Sequence, residues 1–107
     1  MIEERIMYGL MGRINAQTGQ GEALLGHLLK AAAQLHNLEG CYLYVVSKAT
    51  DDADGIWVTE VWRSAADHQA SLHHEAIQAL IAAARPLIAG MVHRTEFTPV
   101  GGKGLPG

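Results

Sequence analysis

Between Ile56 and Ser64 the chain changes its hydrophobic period, and this change restricts the possible folds more than any other feature. Ile56-Trp-Val-Thr-Glu-Val-Trp62 places Ile56, Val58, Glu60 and Trp62 on one face and Trp57, Thr59 and Val61 on the other, the period of a strand. Ser64-Ala-Ala-Asp67 follows at once and has the Ser-x-x-acid form of a capping box, so a helix starts directly out of the strand. Leu72, Ala76, Ile77, Leu80 and Ile81 carry the apolar stripe onward, while the polar His73-His74-Glu75 predicts a break near His73. Pro86 restrains Arg85 and closes the helix.

The flanking segments supply the other elements. Residues 6–14 carry apolar side chains at odd and even positions and read as a strand covered on both faces. Residues 18–21 offer cap and turn chemistry, after which Leu24, Leu28, Ala32 and Leu35 recur at helical spacing to about Leu38. Gly40 breaks that helix, and residues 41–47, rich in β-branched and aromatic side chains, form a second strand. Residues 48–55, with Asp51, Asp52 and Asp54-Gly55, are a hairpin loop. Residues 87–97 read as a loop and a last strand. The order βαββαβ predicts an α+β, ferredoxin-like fold with an antiparallel sheet and both helices on one of its faces. A chain of 107 residues fits one domain, expected over residues 1–98, with a flexible Gly/Pro-rich tail over 99–107. Strands 1, 2 and 3 are apolar on both faces, so the face away from the helices needs cover. The expectation is a homodimer formed by sheet-face packing.

Charge and motifs exclude several classes of function. A net charge of -3 without a basic cluster predicts no nucleic-acid partner and no anionic membrane surface. One cysteine, Cys41, permits no internal disulfide and suits a reducing cytoplasm. The acidic start, Met1 to Arg5, lacks the basic and apolar regions of a secretory signal, and no apolar run reaches membrane-spanning length. Six histidines invite a metal reading, but His74-Glu75-Ala76-Ile77-Gln78 ends in Gln where a zincin helix needs a second His. The loop at residues 50–55 fails as a calcium loop, with Thr50 at its first position and Val61 at its twelfth. No metal ligand is predicted, and His27 and His36 are expected at the surface. No dinucleotide, Walker or serine-hydrolase motif occurs.

The remaining concentration of chemistry lies between Trp57 and Leu72. Glu60 and Trp62 share a strand face and His68 sits in the first turns of the next helix, so the three converge at the junction. An indole beside an imidazole suits a flat aromatic ligand, with the Trp as a stacking face and the His as a base near neutral pH. Trp62 also fits a purely structural place in the core. Tyr8, Asn15, Tyr42, Tyr44 and Arg94 lie on strands and can add polar contacts.

Glu39-Gly-Cys-Tyr-Leu-Tyr-Val-Val-Ser47, Trp57-Val-Thr-Glu-Val-Trp-Arg-Ser64, His68-Gln-Ala-Ser-Leu72 and Arg85-Pro-Leu-Ile-Ala-Gly90 together resemble the antibiotic biosynthesis monooxygenase domain family. The resemblance implies a dimeric α/β barrel and oxidation of a quinol, anthrone or related phenolic by molecular oxygen with no cofactor. By position, Trp62 corresponds to the family's pocket tryptophan and His68 to its helix histidine, which in a common form of the family falls one turn later, at Ser71 here. The implied catalytic residues are His68 and Trp62, with Tyr8, Asn15, Tyr44, Glu60 and Arg94 as substrate-binding candidates. Relatives of this architecture also include stress-response proteins and haem-degrading enzymes, so a non-enzymatic small-molecule binding module and haem degradation stand as alternatives.

Overall fold

The computed structural model describes residues 6–106; the acidic start at residues 1–5 and Gly107 lie outside the described residues. In chain order the elements are β1 (Tyr8–Ala16), α1 (Gly21–Leu35), β2 (Cys41–Lys48), β3 (Gly55–Trp62), α2 (Ala65–Ser71), α3 (Glu75–Ala84) and β4 (Ile88–Phe97). The strands form one antiparallel sheet in the order β2-β3-β1-β4. This is the α+β ferredoxin-like arrangement. Residues 99–106 add no helix or strand.

Local chemistry sets most boundaries. Ser64 Oγ accepts the Asp67 backbone N–H at 3.1 Å and starts α2 from an extended residue, as the capping box requires. The helical region does break at residues 72–74, separating α2 from α3. Arg85 departs from expectation. It stays helical (φ -50°, ψ -46°) before Pro86, whose fixed φ suits the single 3-10 turn of Arg85–Leu87 that ends α3. β1 begins at Tyr8, two residues later than the apolar pattern suggests, and α1 ends at Leu35, where turn bonds from Leu38 N to Leu35 O and from Cys41 N to Leu38 O replace the helix.

The N-terminus of α1 is closed from a distance. Gln20 precedes it without a side-chain cap. Asp54 of the β2–β3 hairpin accepts the Gly19 N–H at 3.1 Å and the Gly21 N–H at 3.0 Å, satisfying donors that a helix start leaves open. Gly19 has φ 81°, a conformation glycine adopts without steric cost. Asp54→Ala is expected to destabilise the protein by about 1 kcal/mol, read as a lower urea midpoint with an unchanged slope.

The core lies between the sheet and the helices. Ile14, Leu24, Ile56, Val58 and Ala84 form one buried cluster, and Leu35, Trp62 and Ile77 form another. Toward the opposite face the chain keeps apolar surface: Met11, Val45, Val92 and Phe97 each remain more than a third exposed. A Cβ on Gly9 would run into the Phe97 ring, so glycine lets that ring lie against β1.

A bulge in β4 decides what reaches the helix side. Arg13 pairs with Val92 and Met11 with Thr95, so His93 and Arg94 together oppose the single Gly12. His93 takes φ 57°, and its ring stacks on Trp57 at 6.1 Å. The extra residue reverses the alternation of the strand. Arg94 and Glu96 thereby share the face of Tyr8, while Thr95 and Phe97 share that of Met11 and Gly9.

Candidate active site

Between the sheet and the helices lies a cavity of about 270 Å³, lined by residues of β1, α1, β2, β3, α2, α3 and β4. Leu10, Leu28, Leu35, Ile77 and Leu80 make much of its wall. The polar groups gather at the end of β3. Trp62, only 1% exposed, donates its Nε1–H to Glu60 Oε1 at 3.0 Å. His68 Nε2 stands 3.8 Å from that same oxygen, and the indole and imidazole meet edge to face with centroids 5.5 Å apart. Period two on β3 and the immediate helix start at Ser64 bring these three side chains together.

Tyr8 backs the imidazole from β1, its ring centroid 5.3 Å away, and donates its hydroxyl to Glu96 at 2.7 Å. Arg94 lines the cavity, and its Nη1 lies 3.4 Å from Glu96. Tyr44 lines the cavity from β2, beside the buried clusters. Asn15 is placed differently. Its Oδ1 accepts from Arg13 Nε at 3.1 Å, and it is outside the cavity lining. Of the strand candidates, Tyr44, Glu60 and Arg94 therefore line the cavity, Tyr8 supports it from behind, and Asn15 does neither. Ser71 donates to the His68 carbonyl at 2.6 Å, which ties the end of α2 to the histidine.

His27 was expected at the surface but lines the cavity from α1; His36 is exposed. Only its heptad-like spacing, three residues after Leu24 and four before Ala31, places His27 on the inner side of the helix.

Burial moves the two central titrating groups toward each other. It raises the Glu60 carboxyl above its usual range, against the opposing pull of the Trp62 hydrogen bond and the Arg94 charge. It lowers His68, and the Arg94 charge lowers it further while Glu96 partly opposes them. The difference in proton affinity between these neighbours is thereby reduced, which favours proton exchange through the site. His68 Nδ1 is buried without a hydrogen-bond partner. A positive charge on this buried ring is costly, so the site favours an imidazole that is neutral. The thiol of Cys41 is pushed up to about 11 by burial and by Glu60, which removes it as a nucleophile near neutral pH. Among the described residues no cluster of three or more His, Cys, Asp or Glu is arranged to hold a metal ion. No helix among them is long and apolar enough to cross a membrane.

The chain belongs to the antibiotic biosynthesis monooxygenase family, whose sequence model matches residues 7–83. A solved structure from Chloroflexus aurantiacus J-10-fl, provisionally assigned to the same family, is 44% identical, covers 94% of this chain and 99% of its own, and superposes with a TM-score of 0.86. Two others with the same provisional assignment share the fold at lower identity. The one from Caulobacter crescentus CB15 is 21% identical over 91% of this chain and 92% of its own, with a TM-score of 0.82. The one from Nitrosomonas europaea is 13% identical over 94% and 96%, with a TM-score of 0.83. No curated protein matches the chain. The family match stops before β4, so the inward placement of Arg94 is a statement about this chain's own geometry.

Proposed function

We propose that the protein is a monooxygenase that oxidises a small electron-rich aromatic, a quinol, anthrone or related phenolic, with molecular oxygen and without a cofactor. The observation that carries this reading is the junction of Trp62, Glu60 and His68 at one end of a largely apolar cavity. Family membership supports the class of reaction.

In this reading the substrate ring lies in the apolar cavity and its hydroxyl meets His68 Nε2. The imidazole takes the phenolic proton, and the Arg94 guanidinium stabilises the resulting oxyanion. The electron-rich anion passes one electron to oxygen, and the substrate radical and superoxide join through a new C–O bond. Loss of water then breaks the O–O bond. For an anthrone, the CH₂ carbon becomes C=O, one oxygen atom is retained and the other leaves as water with the two hydrogens. The substrate supplies every electron. Aliphatic walls exclude water from the reactive anion.

A base with a lowered pKa is available earlier in a pH titration. The acid limb of kcat/KM is expected to fall below 6.5, the ordinary imidazole value, with activity lost as pH drops through it. Stability follows the same group. Unfolded His68 takes a proton below about 6.5, whereas folded His68 resists it to lower pH, so its contribution is full above that value and declines as pH falls toward the folded pKa. A pH–rate profile and urea titrations at several pH values check both statements.

The exposed apolar side chains Met11, Val45, Val92 and Phe97 support a homodimer formed by sheet-face packing. Sedimentation at micromolar concentration should give about 23 kDa, twice the 11.5 kDa chain mass. A stable monomer contradicts the dimer. A cytoplasmic location fits the single unpaired cysteine.

A further inference from the structure

We infer that His27 is a specificity residue that binds the far end of a fused-ring substrate, an inference that rests on the aromatic-substrate reading above. α1 and α3 give the cavity an aliphatic wall, exemplified by Leu28, Ala31, Leu80 and Ile81, and His27 is the one polar side chain they contribute among the described residues. Its Nδ1 is shut in against protein with no hydrogen-bond partner. Nε2 is therefore the nitrogen left to bond a ligand, as donor or acceptor according to tautomer.

The position of His27 sets the length of that ligand. His68 packs on Trp62, which shares a buried cluster with Leu35 of α1. His27 lies eight residues before Leu35, about 12 Å along the helix axis, so the two imidazoles belong to different ends of the cavity. It is one turn from Leu24, which belongs to the other buried cluster. A cavity of about 270 Å³ is well above the roughly 150 Å³ that holds one benzene ring. The occupant that uses both ends has two or three fused rings with an oxygen at each end. One oxygen meets His68 and reacts; the other meets His27 and sets register. A single-ring phenol reaches His68 only.

The test uses binding, under anaerobic conditions, so that it does not depend on turnover. A hydroxylated anthraquinone with oxygens on both outer rings and a one-ring alkylphenol are each titrated into the full chain, with tryptophan quenching as the readout. His27→Leu keeps apolar bulk and removes the nitrogens. It is expected to weaken the anthraquinone roughly three- to tenfold, the worth of one hydrogen bond, and to leave the alkylphenol unchanged. His27→Gln, which keeps a donor, restores part of the loss. Ring ¹⁵N shifts of His27 in the wild type give a readout that needs no variant to fold: Nε2 moves with the anthraquinone and stays with the alkylphenol. Equal anthraquinone affinity in wild type and His27→Leu, or an unmoved Nε2 signal in the complex, overturns the inference while leaving the oxygenase reading intact. Anthraquinone binding that depends on His27 in a protein without oxygen uptake sustains the inference and removes the oxygenase reading. A wild type that binds neither probe contradicts both.

Discussion

Replacing His68 by alanine is expected to lower oxygen uptake by about 100-fold or more, the usual worth of a positioned general base. The reason is in the placement of the ring. His68 is 7% exposed, held between Trp62 and Tyr8, with Nε2 3.8 Å from Glu60. Of the other histidines among the described residues only His27 lines the same cavity, from α1 and eight residues before Leu35, while His36, His73, His74 and His93 are exposed. Alanine also opens space, so His68→Gln serves beside it as a polar replacement of closer size. Both variants should retain anthraquinone binding within a few fold while losing turnover, since the apolar walls remain. Equal losses of binding and turnover would assign His68 to positioning instead of proton transfer.

Trp62→Ala is expected to destabilise the protein by about 3–5 kcal/mol, the range for truncating a buried aromatic side chain. Trp62 packs with Leu35 and Ile77 and is among the largest fully buried side chains, so its removal empties the centre of one cluster. A domain of this size is stable by about 5–15 kcal/mol, and the loss takes a large part of that. Trp62→Phe keeps a ring in place and gives up the 3.0 Å hydrogen bond to Glu60. Its cost is expected near 1–3 kcal/mol, the penalty for a buried acceptor that loses its donor. That bond helps hold the Glu60 proton affinity down, so Trp62→Phe should also raise the Glu60 pKa further. Urea denaturation gives the stabilities and carboxyl NMR titration gives the pKa. Core packing and site lining are thus one role for Trp62: the residue that anchors the core also shapes the cavity wall.

What was legible in the sequence was largely local. Ser64 and Asp67 are three residues apart, and their bond depends on little else. Glu60, Trp62 and His68 converge because two periods, strand and helix, meet at a known boundary. The βαββαβ order followed from the same reasoning and agrees with the observed sheet. Other features depend on contacts between distant segments. Asp54 closes α1 from 33 and 35 positions away, and its spacing resembles any polar hairpin. Arg94 could be named as a candidate, but its direction depends on a bulge carried by His93, whose left-handed backbone is uncommon for any residue but glycine and has no mark in the sequence around it. Asn15 shows the limit of naming polar strand residues, since its side chain is taken up by Arg13. His27 reaches the cavity through the packing of α1 against α3, and a helical histidine has no local mark of that contact.

The most direct measurement is oxygen consumption by metal-free, flavin-free protein with a panel of anthrones and hydroquinones, corrected for autoxidation. Uptake above the uncatalysed rate is expected with at least one of them, with one O₂ consumed per anthrone CH₂ converted to carbonyl and loss of that uptake in His68→Ala. Uptake at the autoxidation rate across the panel, or uptake unchanged in His68→Ala, would contradict this expectation; the first result would leave a cavity that binds small aromatics without oxidising them.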